Sequence, residues 1–92
     1  MTYKIKHTTQ FKKDYKRAKT QGRDINILVE VLGKLKNDEN LDYHFNDHQL
    51  LGHFSDFREC HLKPDWLLIY YKDKKTKTII LTRLGNHSDL FS

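Results

Sequence analysis

At 92 residues the chain has room for one modest apolar core, because a domain of this size buries only about two-thirds of the surface its unfolded form exposes. No apolar run is long enough to cross a bilayer, the opening Met1-Thr2-Tyr3-Lys4-Ile5 lacks the apolar stretch of a secretory signal, and a lone cysteine, Cys60, precludes an internal disulfide, so the expected location is the cytoplasm. The net charge of +5 is unevenly spread, with +7 carried up to Lys36, −5 between Asn37 and Asp56 and +3 from Phe57 onward, so that two basic segments suited to a polyanion flank an acidic, His-rich one.

Tyr3 to His7 alternates and predicts a short first strand. Thr8 or Thr9 is placed to cap a helix in which Phe11, Tyr15 and Ala18 recur at helical spacing, while Lys12, Lys13, Lys16, Arg17 and Lys19 fall largely on the other faces. Gly22 ends it. Asp24 offers the N-cap of a second helix with an apolar stripe of Ile25, Leu28, Val31, Leu32 and Leu35, and Gln21-Gly22-Arg23 joins the two into a hairpin. From Asn37 to Asp56 periodicity is lost, which predicts a long loop pinned by Leu41, Tyr43, Phe45, Leu50 and Leu51; loops of this length in small domains are often functional. Three strand-like runs follow, Phe57 to Lys63, Trp66 to Lys72 and Lys77 to Leu84, and their short connections predict antiparallel neighbours. The tail from Gly85 to Ser92 has length for one helical turn. The order β-α-α-β-β-β predicts a single α+β domain over residues 1–92, with a helical hairpin on one face of a mostly antiparallel twisted sheet and a groove left open on the other.

Six histidines are more than ordinary usage supplies, and imidazole is the side chain best placed to exchange protons near neutral pH. His48 lies in the long loop, His61 in the strand that follows it, and His87 just past the last strand; Asp65-Trp66 occupies a turn. Cys60 sits in an alternating run with neither base nor motif beside it, and reads as a small core residue. His44 and His48 would form a ligand pair only on a helix, which their Asn- and Asp-rich setting disfavours, and no HExxH, cysteine pair or Gly-rich phosphate loop is present, so no metal is expected. From residue types alone, plainer roles stay open: solvated imidazoles, a turn residue at Asp65, and core packing for Trp66 and Phe91.

Asp47-His48-Gln49-Leu50 with Gly52, then the run from Phe57 through Glu59-Cys60-His61-Leu62-Lys63-Pro64-Asp65-Trp66 to Tyr70, then Arg83-Leu84-Gly85-Asn86-His87-Ser88-Asp89-Leu90-Phe91, resemble in that order the motif set of YafQ-type toxins of the RelE superfamily. The resemblance spans nearly the whole chain. It implies a RelE-like fold and the toxin of a type II toxin–antitoxin system: a ribosome-dependent mRNA endoribonuclease that works by metal-free acid–base attack of the RNA 2′-hydroxyl, without a cofactor. Carried over residue by residue, it implies an acid–base cluster of His48, His61, Asp65 and His87, a phosphate contact at Arg83, and aromatic support for site or substrate from Trp66 and Phe91. The implied partners are the ribosome, mRNA and a cognate antitoxin with a ribbon-helix-helix start of the DinJ or RelB kind, with operator DNA reached only through the antitoxin complex and no membrane. Lys12, Lys13, Lys16, Arg17 and Lys19 are expected to meet ribosomal RNA. Two other readings are a non-catalytic RNA- or DNA-binding module and an inactive homologue that only binds an antitoxin.

Overall fold

A computed structural model describes residues 2–91. Strand β1 (Lys4–His7) leads into helices α1 (Thr9–Thr20) and α2 (Ile25–Lys36), and both helices start at the predicted caps. The Thr8 hydroxyl accepts from the Phe11 N–H at 3.0 Å and the Asp24 carboxylate from the Asn26 N–H at 3.1 Å, each satisfying a donor that a first helical turn leaves over. Gly22, at a φ of +77°, takes the left-handed conformation that turns the chain from one helix to the next.

Four further strands, β2 (His48–Gln49), β3 (Arg58–Lys63), β4 (Trp66–Asp73) and β5 (Thr78–Gly85), complete a sheet in the order β1-β5-β4-β3-β2. Only the β1–β5 pair is parallel, which gives the expected α+β, mostly antiparallel architecture. The long loop holds more order than its sequence shows. Single 3₁₀ turns at Tyr43–Phe45 and Gly52–Phe54 flank β2, which sets His48 opposite Glu59 on β3. Two strand residues are too few to show a period, so periodicity could not reveal them. Helix α3 (His87–Phe91) closes the tail.

The hairpin packs on one face of the sheet, burying Phe11, Ala18, Leu28, Val31 and Leu35 against Cys60, Leu68, Tyr70, Leu81 and Leu84. Leu81 and Leu84, three residues apart, would face opposite sides of a regular strand. A bulge reconciles them: Ile69 lies opposite Arg83 but Tyr70 lies opposite Leu81, so Thr82 is the extra residue and both leucines turn inward. The same register places Arg83, Ile69 and Glu59 in one row across the other face, since directly paired residues share a side.

Past Leu81, β5 outruns β1, and α1 satisfies its outer edge with side chains. The Thr8 hydroxyl donates to the Thr82 carbonyl at 2.9 Å, Arg17 donates to the Leu84 carbonyl at 3.3 Å, and Asp14 accepts the Leu84 N–H at 3.0 Å. Asp14 is only 1% exposed, and a charge so placed needs compensation on the spot. It accepts further bonds from Arg83 Nε at 2.9 Å, Gln10 at 3.1 Å and Arg17 at 3.3 Å. Burial pushes its carboxyl up, but the bonds from Arg83, Leu84 and Gln10 with the charge of Arg83 outweigh burial and hold it below the ordinary value of 3.8. Arg17 also reaches Asp89 at 3.6 Å. This corrects the expectation for Arg17: it ties α1 to β5 and α3 rather than standing free on a basic face. Gly85 sits under the same knot, where an added Cβ would lie 3.0 Å from Arg17 Nη2 and 3.1 Å from Asp89 Cβ.

Asp14→Ala leaves the Leu84 N–H without its partner and two arginines uncompensated but able to reach water, so a loss of about 2–3 kcal/mol is expected in urea unfolding. Because the folded carboxyl titrates below its unfolded value, this stabilisation is complete above pH 3.8 and is lost as the pH falls through the lower folded value. Asp14→Asn should therefore flatten that acid limb. An unchanged urea midpoint for Asp14→Ala would show that the knot contributes nothing.

Candidate active site

The open face of the sheet carries the histidines. His48 pairs directly with Glu59, and Glu59 and His61 are two apart on β3, so all three project to one side. Glu59 is almost fully buried among them. Its Oε1 is 3.2 Å from His61 Nε2 and 3.9 Å from His87 Nε2, and its Oε2 is 3.7 Å from His48 Nε2. The His61 ring lies 6.1 Å from that of His48 and 5.9 Å from that of His87, centroid to centroid.

Each outer histidine is held by its Nδ1. The His48 Nδ1–H donates to the Asn46 carbonyl at 2.8 Å, and since a carbonyl can only accept, the proton is on that nitrogen and Nε2 is turned to the cleft. The loop around it is fastened by Asp47, which accepts from the Tyr70 hydroxyl at 2.8 Å and from Arg58 Nε at 3.3 Å. Burial, reinforced by the bond to Asp47, pushes the Tyr70 phenol up, so it stays a donor.

His87 opens α3, whose start is closed reciprocally: the Asp89 N–H donates to Asn86 Oδ1 at 2.7 Å and the Asn86 N–H to Asp89 Oδ2 at 3.4 Å. Asp65, in the β3–β4 turn, accepts the His87 backbone N–H at 3.1 Å and its Nδ1–H at 2.8 Å. The backbone bond first and the ring bond second hold the Asp65 carboxyl below the ordinary carboxylate range. Two-point attachment fixes the ring, and its Nε2 points at Glu59.

All four expected acid–base residues thus converge in one cleft. Trp66 requires a correction: it is 1% exposed, in the core, with the Arg23 guanidinium 5.6 Å from its ring, and has no face to offer a substrate. It supports the turn that carries Asp65 from beneath. Phe91 is exposed, 6.3 Å from the His87 ring. Arg83 shares its row with Glu59 two strands away, about 10 Å between backbones, within reach of a phosphate lying at the histidines. Lys12, Lys13, Lys16 and Lys19 are exposed along α1, remote in sequence from the cleft. Burial pushes the Cys60 thiol far up, in keeping with a core role.

Two residues escape a reading of the sequence. Glu59 stands at the centre of the histidines, and its only signal is its place two residues before His61 on an alternating strand. Phe54 stands edge-on to Phe91 with centroids 6.4 Å apart, and nothing local in its loop marks it. Among the described residues, no group of three or more His, Cys, Asp or Glu side chains is arranged to hold a metal ion, and no helix is long and apolar enough to cross a membrane.

Comparison with known proteins agrees with this arrangement. Residues 3–92 match the family described as the bacterial toxin of type II toxin–antitoxin system, YafQ. The chain is 36% identical to the mRNA interferase toxin YafQ of Escherichia coli K12 over 89 residues, 95% of this chain and 94% of that protein. It is similar to the toxin in the crystal structure of the E. coli DinJ–YafQ toxin–antitoxin complex, with a TM-score of 0.91 at 32% identity and full coverage of both chains, 100% each. It is also similar to a metal-bound toxin from Helicobacter pylori, with a TM-score of 0.92 at 44% identity over 99% of this chain and 100% of that one.

Proposed function

The chain belongs to the YafQ family of bacterial toxins of type II toxin–antitoxin systems, and from that premise we propose that it is an mRNA endoribonuclease acting on ribosome-bound message, inhibiting translation, and restrained by a cognate antitoxin. The observation that carries the mechanism is the set of three imidazoles gathered on one buried carboxylate, two of them with Nδ1 anchored and Nε2 facing the cleft.

Self-cleavage of RNA needs a base for the 2′-hydroxyl proton, an acid for the departing 5′ oxygen and positive charge for the phosphorane-like transition state. His87 faces a carboxylate at each ring nitrogen, Asp65 at Nδ1 and Glu59 at Nε2, so a second proton on it has its charge compensated twice. His48 faces a neutral carbonyl at Nδ1 and a carboxylate only at Nε2. The proton therefore resides first on His87, the acid, and His48 takes the 2′ proton with its Nε2 lone pair, beside His61. Asp65 is occupied by His87 on two bonds and acts as the positioning residue rather than as the second proton carrier. As the 2′ oxygen bonds to phosphorus, the bond from phosphorus to the 5′ oxygen breaks; His87 protonates that oxygen, and Arg83 offsets the charge on the phosphoryl oxygens.

The products should be a 2′,3′-cyclic phosphate and a 5′-hydroxyl, identified by end-mapping after incubation with programmed ribosomes. Every task has an owner among the side chains, so cleavage of model RNA at high protein concentration is expected to survive EDTA. The Helicobacter relative's bound metal gives that test its edge. Activity restored only by Zn²⁺ or Mn²⁺, or products ending in 5′-phosphate, would replace this mechanism with a metal-dependent one.

A further inference from the structure

Next to the histidines, on the same open face, Phe54, Phe57, Ile69, Arg83, Leu90 and Phe91 line a notch of about 150 Å³. An apolar cavity of roughly that volume admits one six-membered aromatic ring. Two of its walls are phenyl rings left in water, Phe54 at 53% and Phe91 at 45% exposure, although apolar surface of that kind is better covered. Their centroids are 6.4 Å apart, and Phe91 is 6.3 Å from the His87 ring, so the aromatic walls continue directly into the proton-transfer cluster. The polar element of the notch is Arg83. Asp14 takes its Nε, which leaves the two Nη groups as the donors for a ligand's acceptor atoms.

We infer that this notch is a nucleobase subsite, in which Phe54 and Phe91 hold the base adjoining the scissile phosphate while the phosphate lies at His87. The inference rests on the endoribonuclease reading and adds one base position to it. A flat ring with acceptor atoms at its edge suits two aromatic walls and a guanidinium together. A purely apolar ligand would leave Arg83 unmatched, and an anion would leave the two phenyl rings so. Continuity with the histidines selects a base of the RNA chain being cut over a free nucleobase.

The test uses ribosomes programmed with a synthetic mRNA in which single abasic nucleotides replace successive positions around the cleavage site. With the parental protein, one position should lower kcat/KM by about 5- to 150-fold, the range of a single base–aromatic stack. Phe54→Ala should lose a similar factor on intact mRNA and lose nothing further at that abasic position, whereas Phe54→Tyr, which keeps the ring, should stay near the parental rate. Thermal unfolding of the exposed-site variants controls for folding. Phe54→Ala cleaving at the parental rate, Phe54→Ala keeping the full abasic penalty, or Phe54→Tyr failing as badly as Phe54→Ala would each overturn the subsite while leaving parental cleavage intact. Absence of cleavage by the parental protein would instead overturn the endoribonuclease reading, and the subsite with it.

Discussion

His87→Gln is expected to lower mRNA cleavage by about 10²–10⁴-fold, the usual contribution of a positioned proton-transfer group, while leaving the fold in place. The side chain is more than half exposed, so its truncation should change stability by under about 0.5 kcal/mol. Glutamine can keep a hydrogen bond toward Asp65 but cannot carry a proton to the 5′ oxygen, so the loss should fall on kcat and persist at saturating substrate. Asp65→Asn separates charge from geometry: it can still accept the His87 backbone N–H, but no longer balances a protonated ring. It should give a smaller loss than His87→Gln. Rates are measured by single-turnover cleavage on programmed ribosomes, with circular dichroism to verify folding. A His87→Gln protein that cleaves at the parental rate would remove His87 from the chemistry.

Replacing Lys12, Lys13 and Lys16 together by Gln should weaken ribosome association on the order of 10²–10³-fold at about 0.1 M salt, because a phosphate that no lysine neutralises keeps its counterions. The slope of log affinity against log salt should fall by about 2 to 3 in the same series. These lysines are exposed on α1, so the fold should tolerate the change. Arg17 supplies the internal comparison. Its guanidinium is shared among Asp14, Asp89 and the Leu84 carbonyl, so Arg17→Gln should alter unfolding more than the salt slope. The same lysine surface suits an acidic antitoxin segment, which could neutralise the toxin by covering α1 and the His cleft together. Filter binding or sedimentation across a salt series decides the matter. An unchanged slope in the triple variant would place ribosomal RNA on some other surface.

The helices and long strands are legible from local pattern. Thr8 and Asp24 cap where the sequence places them, and the stripe of Leu28, Val31 and Leu35 is buried as its spacing requires. The four acid–base residues follow from motif order, not from spacing, because His48, His61 and His87 are brought together by strand pairing and by a five-residue helix. Residue type alone sets Trp66 and Arg17 outward, since aromatic and cationic residues are common at RNA surfaces. Neither side chain's type reveals that the β3–β4 turn and the free edge of β5 need it inside.

What the sequence determined alone is whatever a few neighbouring residues decide: caps, amphipathic stripes, alternation and the short connections that force antiparallel strands. Tertiary structure decided the rest. Asp14 lies between Phe11 and Ala18 on the buried stripe of α1, a position where a carboxylate is tolerable only because Arg83 and the Leu84 N–H arrive from about seventy residues away. Glu59 becomes the centre of the site only once β2 pairs with β3 and α3 folds back, and Leu81 and Leu84 share a face only through a bulge. A buried charge and a two-residue strand are stable only in the company of distant partners, so no local pattern encodes them.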